Sequence, residues 1–126
     1  MTDRTHADVT RRIEQVSAAS VRVIGQATDH DMWGLGVGTP GVGRRVLITG
    51  GVHGDEPAGV EAALQFLEGM APEYVRHFHF DVIACVNPSG YEANTRENGS
   101  GQDINRSMSD DGVIEAVTLR QFIVGQ

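Results

Sequence analysis

Apolar and polar positions along the chain change their period several times, and each change marks an element. Between residues 7 and 18, Val9, Ile13 and Val16 recur at helical spacing with Arg11, Arg12 and Glu14 between them. That pattern predicts a short amphipathic helix at the periphery. Val21-Arg22-Val23-Ile24 and the glycine-laced stretch 33–37 read as strands on either side of turn residues 28–31, an antiparallel pair. Residues 45–52 form a nearly continuous apolar run, the pattern of a strand buried on both faces of an α/β sheet. Val60, Ala63, Leu64 and Leu67 then fall on one helical face and Glu61, Gln65 and Glu68 on the other, predicting a helix that ends near Gly69. After a loop around Pro72, residues 78–86 form another strand, which closes a β-α-β unit with a parallel pair and a right-handed crossover. Residues 87–109 read as one long polar loop, a length that in a compact domain signals function or disorder. Val113, Ile114, Val117 and Phe122 predict a closing helix, with Asp110 or Asp111 as its cap.

Length and charge narrow the partners. The 126 residues make one domain, and 10 Lys and Arg against 17 Asp and Glu give a net charge of −7. An acidic chain has no electrostatic grip on phosphate backbones or anionic membranes, so neither nucleic acid nor membrane is expected as a partner. Residues 1–8 are polar, and no run approaches the ~20 apolar residues of a membrane span, so the expectation is a soluble, cytoplasmic protein. Cys85 is the single cysteine and lies in an apolar run, which predicts a buried, inert thiol and no disulfide within the chain. A formal dinucleotide fingerprint at Gly36, Gly38 and Gly41 is rejected, because Pro40 interrupts it and a strand follows where the motif requires a helix.

The chemistry concentrates where strand gives way to helix. In Gly51-Val52-His53-Gly54-Asp55-Glu56-Pro57, a histidine and a glutamate three residues apart stand on the turn after a strand, and Pro57 starts the helix while keeping Glu56 out of it. Imidazole nitrogen and carboxylate oxygen are zinc donors, and catalytic zinc keeps three protein ligands and an open position. Ligands in such sheets gather at the carboxyl ends of strands, which brings Asn87-Pro88-Ser89-Gly90 to the same rim. His77 and His79, flanking Phe78, are expected at the surface or a strand edge and not as ligands.

Taken together, His53-Gly54-Asp55-Glu56, Asn87-Pro88 with Gly90, Arg96, and Asp103-Ile104-Asn105-Arg106 resemble the zinc carboxypeptidase superfamily, including its aspartoacylase and succinylglutamate desuccinylase branch. The short spacing from Arg96 to Arg106 resembles the deacylase and bacterial murein-peptide branches more than the digestive carboxypeptidases. The resemblance implies that His53 and Glu56 ligate Zn2+ and that Asp103 accepts a hydrogen bond from the far ring nitrogen of His53. It also implies that Arg96 stabilises the oxyanion of the scissile carbonyl. Asn105 and Arg106 would hold a substrate carboxylate.

The implied fold is a three-layer α/β/α arrangement with a mixed, mainly parallel sheet, truncated after about four strands. Residues 1–126 would form the N-terminal part of a single zinc carboxypeptidase-like catalytic domain. The implied activity is hydrolysis of an amide bond beside a substrate carboxylate, on a peptide or an acylated amino acid. The alternative is an N-acyl amino acid deacylase or a non-catalytic truncated paralogue. The family pattern also has a later histidine as third ligand and a later glutamate as general base; no histidine follows His79. The strand bearing Val46, Leu47 and Ile48 is then expected at an open sheet edge, through which the chain would self-associate.

Overall fold

A computed structural model of the chain describes residues 4–17, 20–38, 41, 43–70 and 73–125. Pro40, Pro72 and the expected helix end at Ala18 lie outside the described residues. The elements run α1 (His6–Glu14), β1 (Ser20–Ala27), β2 (His30–Val37), β3 (Arg44–Thr49), α2 (Pro57–Gln65), β4 (Phe78–Ile83), α3 (Pro88–Ala93) and α4 (Ile114–Val124). Helix α2 continues into a π-helical turn, Phe66–Met70.

The strands form one mixed sheet in the order β1-β2-β4-β3. β1 pairs with β2 and β2 with β4 antiparallel, while β3 pairs with β4 in parallel, so antiparallel pairings outnumber the parallel one among these strands. Because successive side chains point to opposite faces, Leu35, Val37, Phe80 and Val82 pack with Val9 and Ile13 of α1 and Val60, Ala63 and Leu64 of α2. On the opposite face Met32 and Ile83 pack with Ala116, Leu119 and Phe122 of α4. Three layers result.

Several expectations change once strand order is known. β4 lies between two strands and is buried along five of its six residues, whereas β3 is an edge strand, as the family resemblance implied, and its residues are exposed or half-buried, not buried on both faces. Two similar apolar runs thus differ because only one has neighbours on both sides. His79 is buried, not at the surface: alternation turns it and Asp81 to the α4 face, with Nε2 3.3 Å from Asp81 Oδ1 and Arg45 Nη2 2.7 Å from Asp81 Oδ2. His77 is exposed as expected. Helix α1 is not peripheral either, since Val9 and Ile13 belong to the core. The loop expected at 87–109 holds α3, which Asn87 caps by accepting from the Gly90 N–H, with Pro88 in the first turn. Neither Asp110 nor Asp111 caps α4: Val113 occupies that position, Asp110 accepts from Gly112 N–H, and Asp111 pairs with Arg120. Among the described residues no helix is long and apolar enough to cross a membrane.

Helix α1 is fixed by Arg12, whose guanidinium bonds both Glu61 and Glu68, and by His6, which is buried edge-on to His30 with ring centroids 5.4 Å apart. Burial first, then the charge of His30, pushes the His6 imidazole down to about 4, against the pull of Glu92 and Asp31. Folding therefore selects the neutral ring. The stability linked to this group is fully present above the ordinary value of 6.5 and is lost as pH falls toward 4. Over that window the loss is on the order of 3 kcal/mol. Urea unfolding of wild type and His6→Gln at pH 7 and pH 4.5 is expected to show a shallower acid loss in the variant. Equal losses in both proteins would contradict this account of α1 docking.

Candidate metal and oxyanion site

The site begins where β3 ends. The backbone pairing of β3 with β4 carries on past both strands, through Gly50 N–H to Ile83 O, Val86 N–H to Gly50 O and Asn87 N–H to Gly51 O. This delivers the loop 50–56 and the start of α3 to one rim. Gly51 adopts φ +66°, which L side chains avoid, and its missing Cβ leaves room for Val60. At Gly54 a Cβ would stand 2.1 Å from the backbone carbon of Gly90, so only glycine lets the two segments meet. The turn closes with Glu56 N–H to His53 O, and Pro57 opens α2 while Glu56 stays outside helical geometry, its carboxylate used elsewhere than in capping.

Glu56 Oε2 lies 2.8 Å from His53 Nδ1, and Asp103 Oδ1 lies 3.1 Å from His53 Nε2. A neutral imidazole carries one N–H. If Nε2–H is donated to Asp103, the Nδ1 lone pair and the Glu56 carboxylate face the same small volume, an arrangement satisfied by a proton or by a cation. The donor set thus fits a divalent metal as two of its ligands, with Asp103 fixing the ring's orientation. Among the described residues no group of three or more His, Cys, Asp or Glu side chains is arranged to hold a metal ion.

Asp103 gathers the remaining groups. Its Oδ2 lies 3.1 Å from Arg96 Nε and 3.8 Å from Arg106 Nε, and its Oδ1 accepts from the Arg106 backbone N–H at 3.2 Å. Burial opposes ionisation of this carboxyl, but the Arg106 N–H, His53 and Arg96 together outweigh it and hold it at about 2. Asp103 is therefore charged at any ordinary pH. A cleft of about 280 Å³ opens beside His53 and Glu56, lined also by Thr49, Gly50 and Gly59. His53, Glu56, Arg96, Asp103 and Arg106 come together as the motifs suggested. Asn105 sits exposed on the same turn as Arg106.

Sequence reasoning missed what supports this cluster. Asn98 is buried, donates to Glu115 Oε1 at 2.9 Å and accepts from the backbone N–H groups of Ser100 and Gln102, which shapes the turn between Arg96 and Asp103. Asn87 likewise donates to Glu97 O. For α3 the available signal was the Asn-Pro pair, a cap followed by a first-turn proline. For Glu115 the sequence gives no signal, since a glutamate in a first helical turn is ordinary on a surface.

A sequence profile of the succinylglutamate desuccinylase/aspartoacylase catalytic domain matches residues 42–117, which include the whole cluster. The chain belongs to that family. The chain is also similar to murein peptide amidase A of Escherichia coli. The two are 39% identical over 61 residues, 48% of this chain and 24% of the relative. A metallo-carboxypeptidase from Burkholderia cenocepacia shares the fold with TM-score 0.76 at 25% identity, covering 95% of this chain and 36% of that one. A succinylglutamate desuccinylase/aspartoacylase from Rhodobacter sphaeroides aligns with TM-score 0.62 at 30% identity, over 73% of this chain and 28% of the other. The chain spans about a quarter of the curated amidase and about a third of the solved relatives. Cys85, by contrast, plays no part: burial pushes its thiol up to about 12.

Proposed function

We propose that these residues form part of the active site of a zinc-dependent hydrolase that cleaves an amide bond next to a substrate carboxylate, as bacterial metallocarboxypeptidases do. The supporting observation is the chain of contacts from Glu56 through His53 to Asp103 and Arg96. A zinc ion on His53 and Glu56 would supply Lewis acidity toward a carbonyl and activation of water. Asp103 accepts from His53 Nε2, selects the tautomer with its lone pair on Nδ1 and raises the basicity of that nitrogen. Arg96, permanently charged, stabilises negative charge developing on the scissile carbonyl oxygen. Arg106, with Asn105 beside it, holds the substrate carboxylate through paired N–H donors. The family profile favours a second reading with the same residues, an acylated amino acid in place of a peptide carboxyl end.

Titration calorimetry with zinc tests the metal role directly. Two ligands give weak binding, and the expected result is a dissociation constant above the micromolar range, abolished by His53→Ala. Nanomolar affinity would mean that a third ligand acts within this chain, and heat unchanged by His53→Ala would remove the site from consideration.

A further inference from the structure

Arg4 precedes α1 and lies outside the segment 42–117 that matches the family profile, yet it reaches the rim. Its Nη2 donates to Tyr91 O at 2.9 Å, to Asn94 Oδ1 at 2.9 Å and to Gly54 O at 3.2 Å. Nε adds a bond to Tyr91 O at 3.2 Å, and the guanidinium carbon lies 4.8 Å from the centre of the Tyr91 ring. Two segments distant in sequence, the loop at Gly54 and the C-terminal end of α3, therefore meet on one cation. Gly54 follows His53 directly and is two residues from Glu56. Tyr91 O belongs to the last turn of α3, where a carbonyl lacks an intrahelical partner and a cation is favoured. Asn94 is the left-handed C-cap of α3, and the chain runs from it through Thr95 to Arg96.

Between these segments the direct backbone bond is Gly54 N–H to Arg96 O at 3.4 Å, beside the side-chain bridge from His53 through Asp103 to Arg96, while Thr95 N–H to Gly90 O at 3.0 Å closes the end of α3. The backbone bond is long, and Arg4 adds bonds to both sides of it, at Gly54 and at the end of α3 that leads to Arg96. We infer that Arg4 is a positioning residue that holds the His53–Glu56 loop and the Arg96 turn in fixed relation. The inference rests on the proposed role of those three residues. A planar guanidinium reaches several acceptors at once while stacking on an aromatic ring; an ammonium, a compact point charge, does not reproduce that fork.

Amide hydrogen exchange by NMR on the 126-residue chain tests the clamp. In Arg4→Ala, exchange at Gly54 N–H and Thr95 N–H is expected to quicken about tenfold relative to the β4 amides. Arg4→Lys should fall between the two. Arg12→Ala, which loosens α1 from α2 without touching Gly54, should leave both amides at their wild-type rates. Unchanged exchange in Arg4→Ala, or equal acceleration by Arg12→Ala, would reduce Arg4 to a docking residue for α1 and overturn the inference. Should Arg4→Ala fail to fold, Arg4→Lys against Arg12→Ala decides on the same two amides. Zinc titrations of the same proteins separate the two readings: wild type without measurable zinc binding removes the metal site, while the exchange rates still decide for or against the clamp.

Discussion

Replacing Arg96 by alanine in the complete protein is expected to lower kcat by about 10²–10³, the range for losing one oxyanion donor. Arg106→Ala should chiefly raise KM, because a carboxylate clamp acts on ground state and transition state alike. The structure gives this contrast a sharper form. Arg96 pairs with Asp103 through Nε at 3.1 Å and is 44% exposed, whereas Arg106 is 80% exposed and its Nε stands 3.8 Å away. Arg96 is therefore the better fixed of the two, as a group acting on a developing charge must be, and Arg106 has the freedom to follow a ligand. Arg96→Lys keeps the charge but not the fork, and should recover only part of kcat. Steady-state kinetics in which both alanine variants change kcat and KM in the same proportion would end the division of roles. Steps of this kind are not additive with changes at Asp103, since Arg96, Arg106 and His53 all contact its carboxylate.

Asn98→Ala is expected to remove on the order of 3 kcal/mol of stability, which for a domain of this size lowers Tm by roughly 10 °C. Glu115 is 1% exposed, and the amide of Asn98 donates to its Oε1, so the alanine leaves a buried carboxylate without that donor. The same change strips the acceptor that orders Ser100 and Gln102. Asn98→Leu with Glu115→Met should cost less than Asn98→Leu and Glu115→Met added, since the double change leaves no orphan of the Asn98–Glu115 bond, while the loss at Ser100 and Gln102 is common to both Asn98→Leu proteins. Thermal or urea unfolding of the four proteins completes the cycle. Strict additivity, or an Asn98→Ala loss below ~1 kcal/mol, would show that the pair is incidental. If the pair matters, Asn98→Ala will also disturb the turn between Arg96 and Asp103, and weaker zinc binding should accompany the lost stability.

Much was legible from residue order alone because it depends on local chemistry. Apolar runs at periods of 2 and 3.6 located the strands and most of α1, α2 and α4, and Pro57 fixed the start of α2 with Glu56 outside it. His53 and Glu56 stand where β3 gives way to α2, which the β-α-β rule places on the rim, whereas the approach of Arg96, Asp103 and Arg106 from the loop between α3 and α4 was implied by the family resemblance. Strand order was a different matter. Nothing in Val46-Leu47-Ile48 themselves distinguishes an outer strand from an inner one; the family resemblance put this strand at an open edge, where the structure has it, and burial of β4 with exposure of β3 is decided by neighbours distant in sequence. The burial of His79 depends likewise on which face α4 covers. Glu115 and Arg4 are read as surface charges by every local rule, and they become a buried support and a clamp only because Asn98, Gly54 and Asn94 are brought to them across the fold. The sequence by itself determined which residues are candidates for the chemistry and where along the chain they stand. Tertiary structure alone decided what is inside and what holds the site, because burial and long-range hydrogen bonds belong to pairs of segments and not to either one.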